Sequence, residues 1–319
     1  MKPIPASFVV ISAGVLLFLA QTCLWPDDAL TLPPPEPNYV TNDDGTLQTT
    51  PINHGLRIFT CGNSFHWYTP PIVKQMAESV GITGEEIVGI SRIGGSRAIQ
   101  HWEVPDDRNQ AKAALKEGKV DVLTLACMLQ PDDGIEKFTK LALQGNPNIR
   151  VVLQEFWIPS DQFAWPYQGD INKVDFDAST ILDLRKMHEP YFKGMDDYVR
   201  TLNAKFGHQV VFAVPAGQAI LNLREKIVKG QMPGIDKQSE LFVDKIGHPS
   251  PPLQALVSYC NFSVIYRRNP VGLPMPDVLA NAHNPKWDDR TNRALQQLAW
   301  DAVAHQPLSG LPQIRESGE

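Results

Sequence analysis

The chain has 319 residues, 43% hydrophobic and 20% charged, a globular balance that excludes a disordered polymer, a collagen and a multi-span membrane protein. With 35 acidic residues against 29 basic ones its formal net charge is −6, which argues against nucleic acid as a partner. Four cysteines (Cys23, Cys61, Cys127 and Cys260) without a Cys-x-x-Cys pair exclude a disulfide framework and a zinc ribbon.

One lysine precedes an apolar run over residues 8–20, the length of a signal-peptide core and short for a bilayer span. Residues 1–25 therefore read as a signal peptide or, less favoured, a membrane anchor. Either reading places the protein in an exported location, secreted, periplasmic or anchored, with membrane contact only through that segment. Residues 26–54, which include Pro33-Pro34-Pro35, form a linker with no apolar period. A folded domain is expected over 55–305, and a flexible tail over 306–319.

Within the domain, short apolar runs alternate with amphipathic stretches. Strands are predicted over 56–61, 86–93, 120–129, 149–157 and 209–214. Helices are predicted over 70–80, 107–117, 133–143, 177–206, 219–228 and 253–266, with Pro190 a candidate break in the long one. Near-continuous apolar strands alternating with helices indicate a parallel sheet covered on both faces. The fold class is α/β, a three-layer α/β/α sandwich with about five parallel strands. Ligands in such sheets bind beyond the C-terminal strand ends, which singles out the loops at 62–68, 94–102, 130–133, 158–168 and 244–248.

Three features in those loops carry chemistry. Ser64, in Cys61-Gly62-Asn63-Ser64-Phe65 after the first strand, is either a helix N-cap or a nucleophile beside backbone amides. No Gly-x-Ser-x-Gly elbow is present, because His66 fills the fifth position. Asp244 stands four residues before His248, so its carboxylate can orient the imidazole and leave the other ring nitrogen as a base. Gly94-Gly95 after the second strand is either a plain turn or an amide donor to a substrate oxygen.

Together these blocks resemble the SGNH (GDSL-like) hydrolase superfamily. Gly62-Asn63-Ser64 matches its first block, Gly95 its second, and Asp244 with His248-Pro249-Ser250 its last. The resemblance covers about residues 56–268. It implies the SGNH hydrolase fold, flavodoxin-like in strand order, with Ser64 as nucleophile, His248 as general base and Asp244 as its orienting acid. It also implies an oxyanion site formed by the Ser64 and Gly95 amides. Two departures stand out. The Asp-to-His spacing is one residue longer than usual, and the Asn-containing block after the third strand is missing, leaving Gln130 as a substitute amide. Asn63, His66, Trp67 and His101 complete the candidate substrate-binding set, with His66-Trp67-Tyr68 as an aromatic platform for a sugar ring.

The implied activity is serine-esterase hydrolysis of small acyl esters, on small molecules or carbohydrates. Alternatives are a lipase or lysophospholipase of the same fold, or a non-catalytic binder that retains it. No cofactor is expected: residues 230–234 lack the Lys-Ser/Thr ending of a P-loop. The eight histidines show no metal-ligand spacing. Asn261-Phe262-Ser263 is a glycosylation sequon only in form, since it falls in a predicted helix.

Overall fold

The structure is a computed structural model that describes residues 50–162 and 169–311. The predicted export segment, Cys23 and most of the linker lie outside these residues, as do residues 163–168 of the predicted ligand loop and residues 312–319 of the predicted tail.

Five strands form one all-parallel sheet: β1 (Arg57–Gly62), β2 (Glu86–Arg92), β3 (Val122–Cys127), β4 (Arg150–Glu155) and β5 (Val211–Val214). Their spatial order is β2-β1-β3-β4-β5. β3, β4 and β5 are buried at every position, as strands covered on both faces must be. The first crossover, α1 (Thr69–Ser79), carries β1 to edge strand β2. The chain returns through α2 (Ala98–Trp102) and α3 (Gln110–Lys116) to β3 on the other side of β1. Beyond β3 come α4 (Asp133–Gly145), α5 (Ile181–Phe206), α6 (Ala216–Val228), α7 (Pro251–Tyr266), the short α8 (Asp277–Ala280) and α9 (Asp289–His305).

Side-chain alternation along the strands divides the core in two. Ile58, Val122, Val152 and Phe212 face one layer, which includes α1, α6, α7 and α9. Phe59, Leu123, Leu125, Val151 and Leu153 face the other, with α2 to α5. The result is a three-layer α/β/α sandwich with a flavodoxin-like strand order. Its switch point, where successive crossovers leave in opposite directions, lies between β1 and β3.

Several boundaries differ from the sequence expectation. The predicted helix at 107–117 is α3, and the shorter α2 precedes it. α5 runs through Pro190 without a break. Pro190 is exposed, so the carbonyl that loses its helical donor can be satisfied by water. α9 was not anticipated, although Asp288 caps it by accepting from the Arg290 and Thr291 amides. The expected linker ends earlier than residue 54, because the Ile52 amide donates to Tyr266 O. Nor does the chain fray at Gln306. Residues 308–311 are buried, the Ala213 amide of β5 donates to Leu308 O, and Gly310 fits beside the Phe212 ring.

Cys61, Cys127 and Cys260 are free and buried, and burial pushes their thiols up. Among the described residues, no helix is long and apolar enough to cross a membrane. The Asn261 sequon is buried within α7.

Candidate active site

Ser64 lies in a tight turn between β1 and α1. Asn63 shapes that turn: its Oδ1 accepts the Phe65 amide at 3.0 Å, and its carbonyl accepts the His66 and Trp67 amides. The turn doubles back so closely that a Cβ on Gly62 would come within 2.7 Å of the His66 ring. Tyr68, not Ser64, occupies the N-cap of α1. The Ser64 hydroxyl is therefore available for another partner, and it lies 2.8 Å from His248 Nε2.

His248 belongs to a loop between two antiparallel-bridged residues, Phe242 and Pro249. Its Nδ1 is 2.6 Å from Asp244 Oδ2. The other carboxylate oxygen of Asp244 accepts the amides of Ile246, Gly247 and His248 at 3.0 to 3.2 Å. The loop wraps around the carboxylate, with Gly247 at φ +101° closing the turn. This accommodates the extra residue in the Asp-to-His spacing. Burial raises the Asp244 pKa, but hydrogen bonds from the His248 ring and amide outweigh it, so the carboxyl titrates below its ordinary value. An ionised Asp244 fixes the proton on Nδ1 and leaves Nε2 to accept from Ser64. Ser64, His248 and Asp244 thus form a continuous relay.

Beneath Ser64 is a row of buried polar groups. His66 Nδ1 donates to Gln154 Oε1 at 2.7 Å, and His66 Nε2 accepts from Thr124 Oγ1 at 3.0 Å. Thr60 and Thr124 share a 2.8 Å hydrogen bond across β1 and β3. Gln154 Nε2 donates to Phe65 O, and Asn261 of α7 donates to Gln154 Oε1. Burial lowers the His66 pKa to about 4, against a smaller upward pull from Gln154, so the imidazole is neutral. His66 is fully buried and is not a sugar platform, which corrects the sequence expectation. Trp67 is half-buried, and Tyr68 packs against the core.

The loop after β2 lies alongside. Gly95 has φ +62°, and the next residue, Ser96, accepts Asn63 Nδ2 through its carbonyl at 3.0 Å. Asn63 spends its side chain on this tie and on Phe65, so it is a spacer between the two loops and not a substrate contact. His101 is likewise buried, 2.7 Å from both Ser91 Oγ and Ser96 Oγ, and burial lowers its pKa to about 4. It holds the Gly95 loop from behind and does not line the mouth. Gln130 is also redirected. Its Nε2 donates to Tyr191 O at 2.7 Å, and it packs against Gly194 of α5, which rules out the predicted amide donor. The reason is tertiary: α5 supplies both the Tyr191 carbonyl and the Gly194 surface against which the Gln130 side chain rests.

The His248 loop is held mainly by residues that follow β4. Trp157 Nε1 donates to Gly247 O, Ser160 N to Ile246 O and Ser160 Oγ to Lys245 O. Ser160 and Asp161 both adopt left-handed backbone conformations, at φ 55° and 54°. Asp161 is clamped in bidentate fashion by Arg224 of α6, at 2.6 and 2.7 Å. Arg224 also donates to Gln238, and Ser179 donates to Asp161. Sequence reasoning missed this support. Its parts are dispersed over more than sixty residues and share no local motif.

Among the described residues, no group of three His, Cys, Asp or Glu side chains could hold a metal ion. No family model and no curated protein matches the chain. Among solved structures, the chain is similar to a DUF4886 family protein from Bacteroides uniformis ATCC 8492, at 17% identity and a TM-score of 0.48. The match covers 78% of this chain and 95% of that one.

Proposed function

We propose that this protein is a serine esterase that cleaves small acyl esters through an acyl-enzyme, as its resemblance to the SGNH hydrolases implies. The observation that carries the reading is the relay Ser64 Oγ–His248 Nε2–Asp244, at 2.8 and 2.6 Å. In this reading Ser64 Oγ attacks the ester carbonyl carbon while His248 Nε2 takes the hydroxyl proton. The tetrahedral intermediate collapses, and His248 returns that proton to the departing alcohol oxygen. Water then attacks the acyl group, again through His248, and releases the acid and free Ser64. Asp244 holds the imidazole and stabilises the imidazolium without taking its proton. The Ser64 and Gly95 amides receive the oxyanion.

Acetyl-type esters, including those on carbohydrates, are the proposed substrates. Longer acyl chains are a second reading, favoured by Val243 and Ile246, which expose apolar side chains beside Asp244 and His248. The deciding measurement is turnover of p-nitrophenyl acetate, butyrate and octanoate by wild type and Ser64→Ala, with fluorophosphonate labelling of both. Labelled wild type and inactive, unlabelled variant are expected. Unchanged hydrolysis in Ser64→Ala would sink the proposal, and a folded, unlabelled wild type would leave a binding protein.

A further inference from the structure

We infer that Arg97 is a catalytic residue of the same site, a cation placed to stabilise the oxyanion of the tetrahedral intermediate. The inference rests on the esterase reading and extends it. Charge develops on one oxygen in that intermediate, and the two amides assigned to it are neutral dipoles. A fixed cation in a partly dehydrated crevice would strengthen such a site considerably.

Arg97 is placed to do this by topology. It follows Gly95 and Ser96 in the loop after β2, and its Nη2 reaches Pro131 O, in the loop after β3, at 2.6 Å. β2 and β3 are the two neighbours of β1. Arg97 therefore joins the loops that follow the two strands flanking β1, the strand that precedes Ser64. A second tie brings the same segments together: Asn63, next to Ser64, is bonded to the carbonyl of Ser96, next to Arg97.

The guanidinium is held in place by a buried partner. Asp132 is fully buried, and its oxygens accept the amides of Ala98, Ile99 and Gly134 at 2.8 to 3.1 Å. Arg97 Nε stands 3.6 Å from Asp132, beyond hydrogen-bond range, and has no hydrogen-bond partner. Nε is itself buried, and the Asp132 ion pair thus fixes the orientation of the guanidinium. The Arg97 side chain is 31% exposed, so part of it is open to a ligand. Gln130, the other polar side chain on that flank, is committed to Tyr191 O.

The test uses full-length wild type, Arg97→Met, Arg97→Lys and Arg97→Gly with p-nitrophenyl acetate, a neutral ester that offers no anion to bind. Arg97→Met should lower kcat by about 10²-fold, the scale of losing one oxyanion donor, with KM nearly constant. Arg97→Lys should retain part of the rate, and added guanidinium should restore part of it to Arg97→Gly, an effect that simple loss of structure would not produce. Ser64-dependent kcat within about twofold of wild type in Arg97→Met would overturn the inference. So would a rate loss that tracks the melting temperature and resists guanidinium. Wild type lacking Ser64-dependent turnover would instead remove the esterase reading, and the role of Arg97 with it.

Discussion

The two halves of the site are built on different physical principles. The Ser64 turn stands on buried, neutral hydrogen bonds that link β1, β3, β4 and α7 through His66 and Gln154. The 244–248 loop is at the surface, with Asp244 and His248 side chains 42% and 28% exposed. It is tied back by backbone contacts and by one buried ion pair, Asp161–Arg224. A buried neutral network gives rigidity at a large cost if any member is lost. A surface loop gives solvent and substrate access, and depends on support from outside its own sequence. Ser64 is therefore fixed by the core, whereas His248 is fixed by a buttress.

Breaking each half should give distinct signatures. The largest effect is expected from Asp244→Asn, which frees the imidazole to take the wrong tautomer. Ser64-dependent kcat should fall by about 10³–10⁴-fold with the melting temperature nearly unchanged; steady-state kinetics beside a thermal scan would show both. Asp161→Asn leaves Arg224 buried without its countercharge, at about 3–5 kcal/mol. Hydrogen exchange should accelerate at 157–161 and 244–248 but not in α7, and equal acceleration in both would dissolve the distinction between the halves.

Gln154→Leu acts on the other side. It strands the His66 Nδ1 hydrogen, the Phe65 carbonyl and one of the two Asn261 amide hydrogens, the other staying on Val257 O, at about 2–4 kcal/mol of global stability. Urea unfolding should shift its midpoint at constant slope.

The smallest effect is a pH slope. His66 has its ordinary 6.5 lowered to about 4 by burial, so in acid the unfolded chain takes the proton first. Its contribution is intact above pH 6.5 and lost as pH falls from 6.5 to 4, up to about 3 kcal/mol. The difference in unfolding free energy between wild type and His66→Gln should narrow over that interval. A constant difference would mean that His66 is not the buried neutral base of the network.

The fold was largely legible. Runs such as Val122–Cys127 and Arg150–Glu155 announce covered parallel strands, and the order of Ser64, Asp244 and His248 outlines the relay. His66 and His101 misled because a histidine near a strand end looks the same whether it lines a mouth or closes a buried network. What decides is the partner, and Gln154 is 88 residues from His66. Gln130 misled in a similar way, since its destination depends on α5. The signal for α9 was present in the Asp288 cap and in the spacing of Leu295, Leu298, Ala299 and Ala302, all buried. The buttress around Asp161 had no local signal, because left-handed Ser160 and Asp161 are tolerated only where Arg224 and the 244–248 loop hold them.

The packing of residues 306–311 bears on solubility and self-association. An outermost parallel strand presents unpaired amides and carbonyls that invite a strand from another molecule. On the β5 side, Leu308 takes the Ala213 amide and Leu311 is buried with it. This short segment serves as a selvedge that finishes the cloth of the sheet. A chain ending at His305 would keep every strand and every residue of the relay, yet expose a raw margin for intermolecular pairing. Aggregation, rather than lost chemistry, would be the fate of such a truncation.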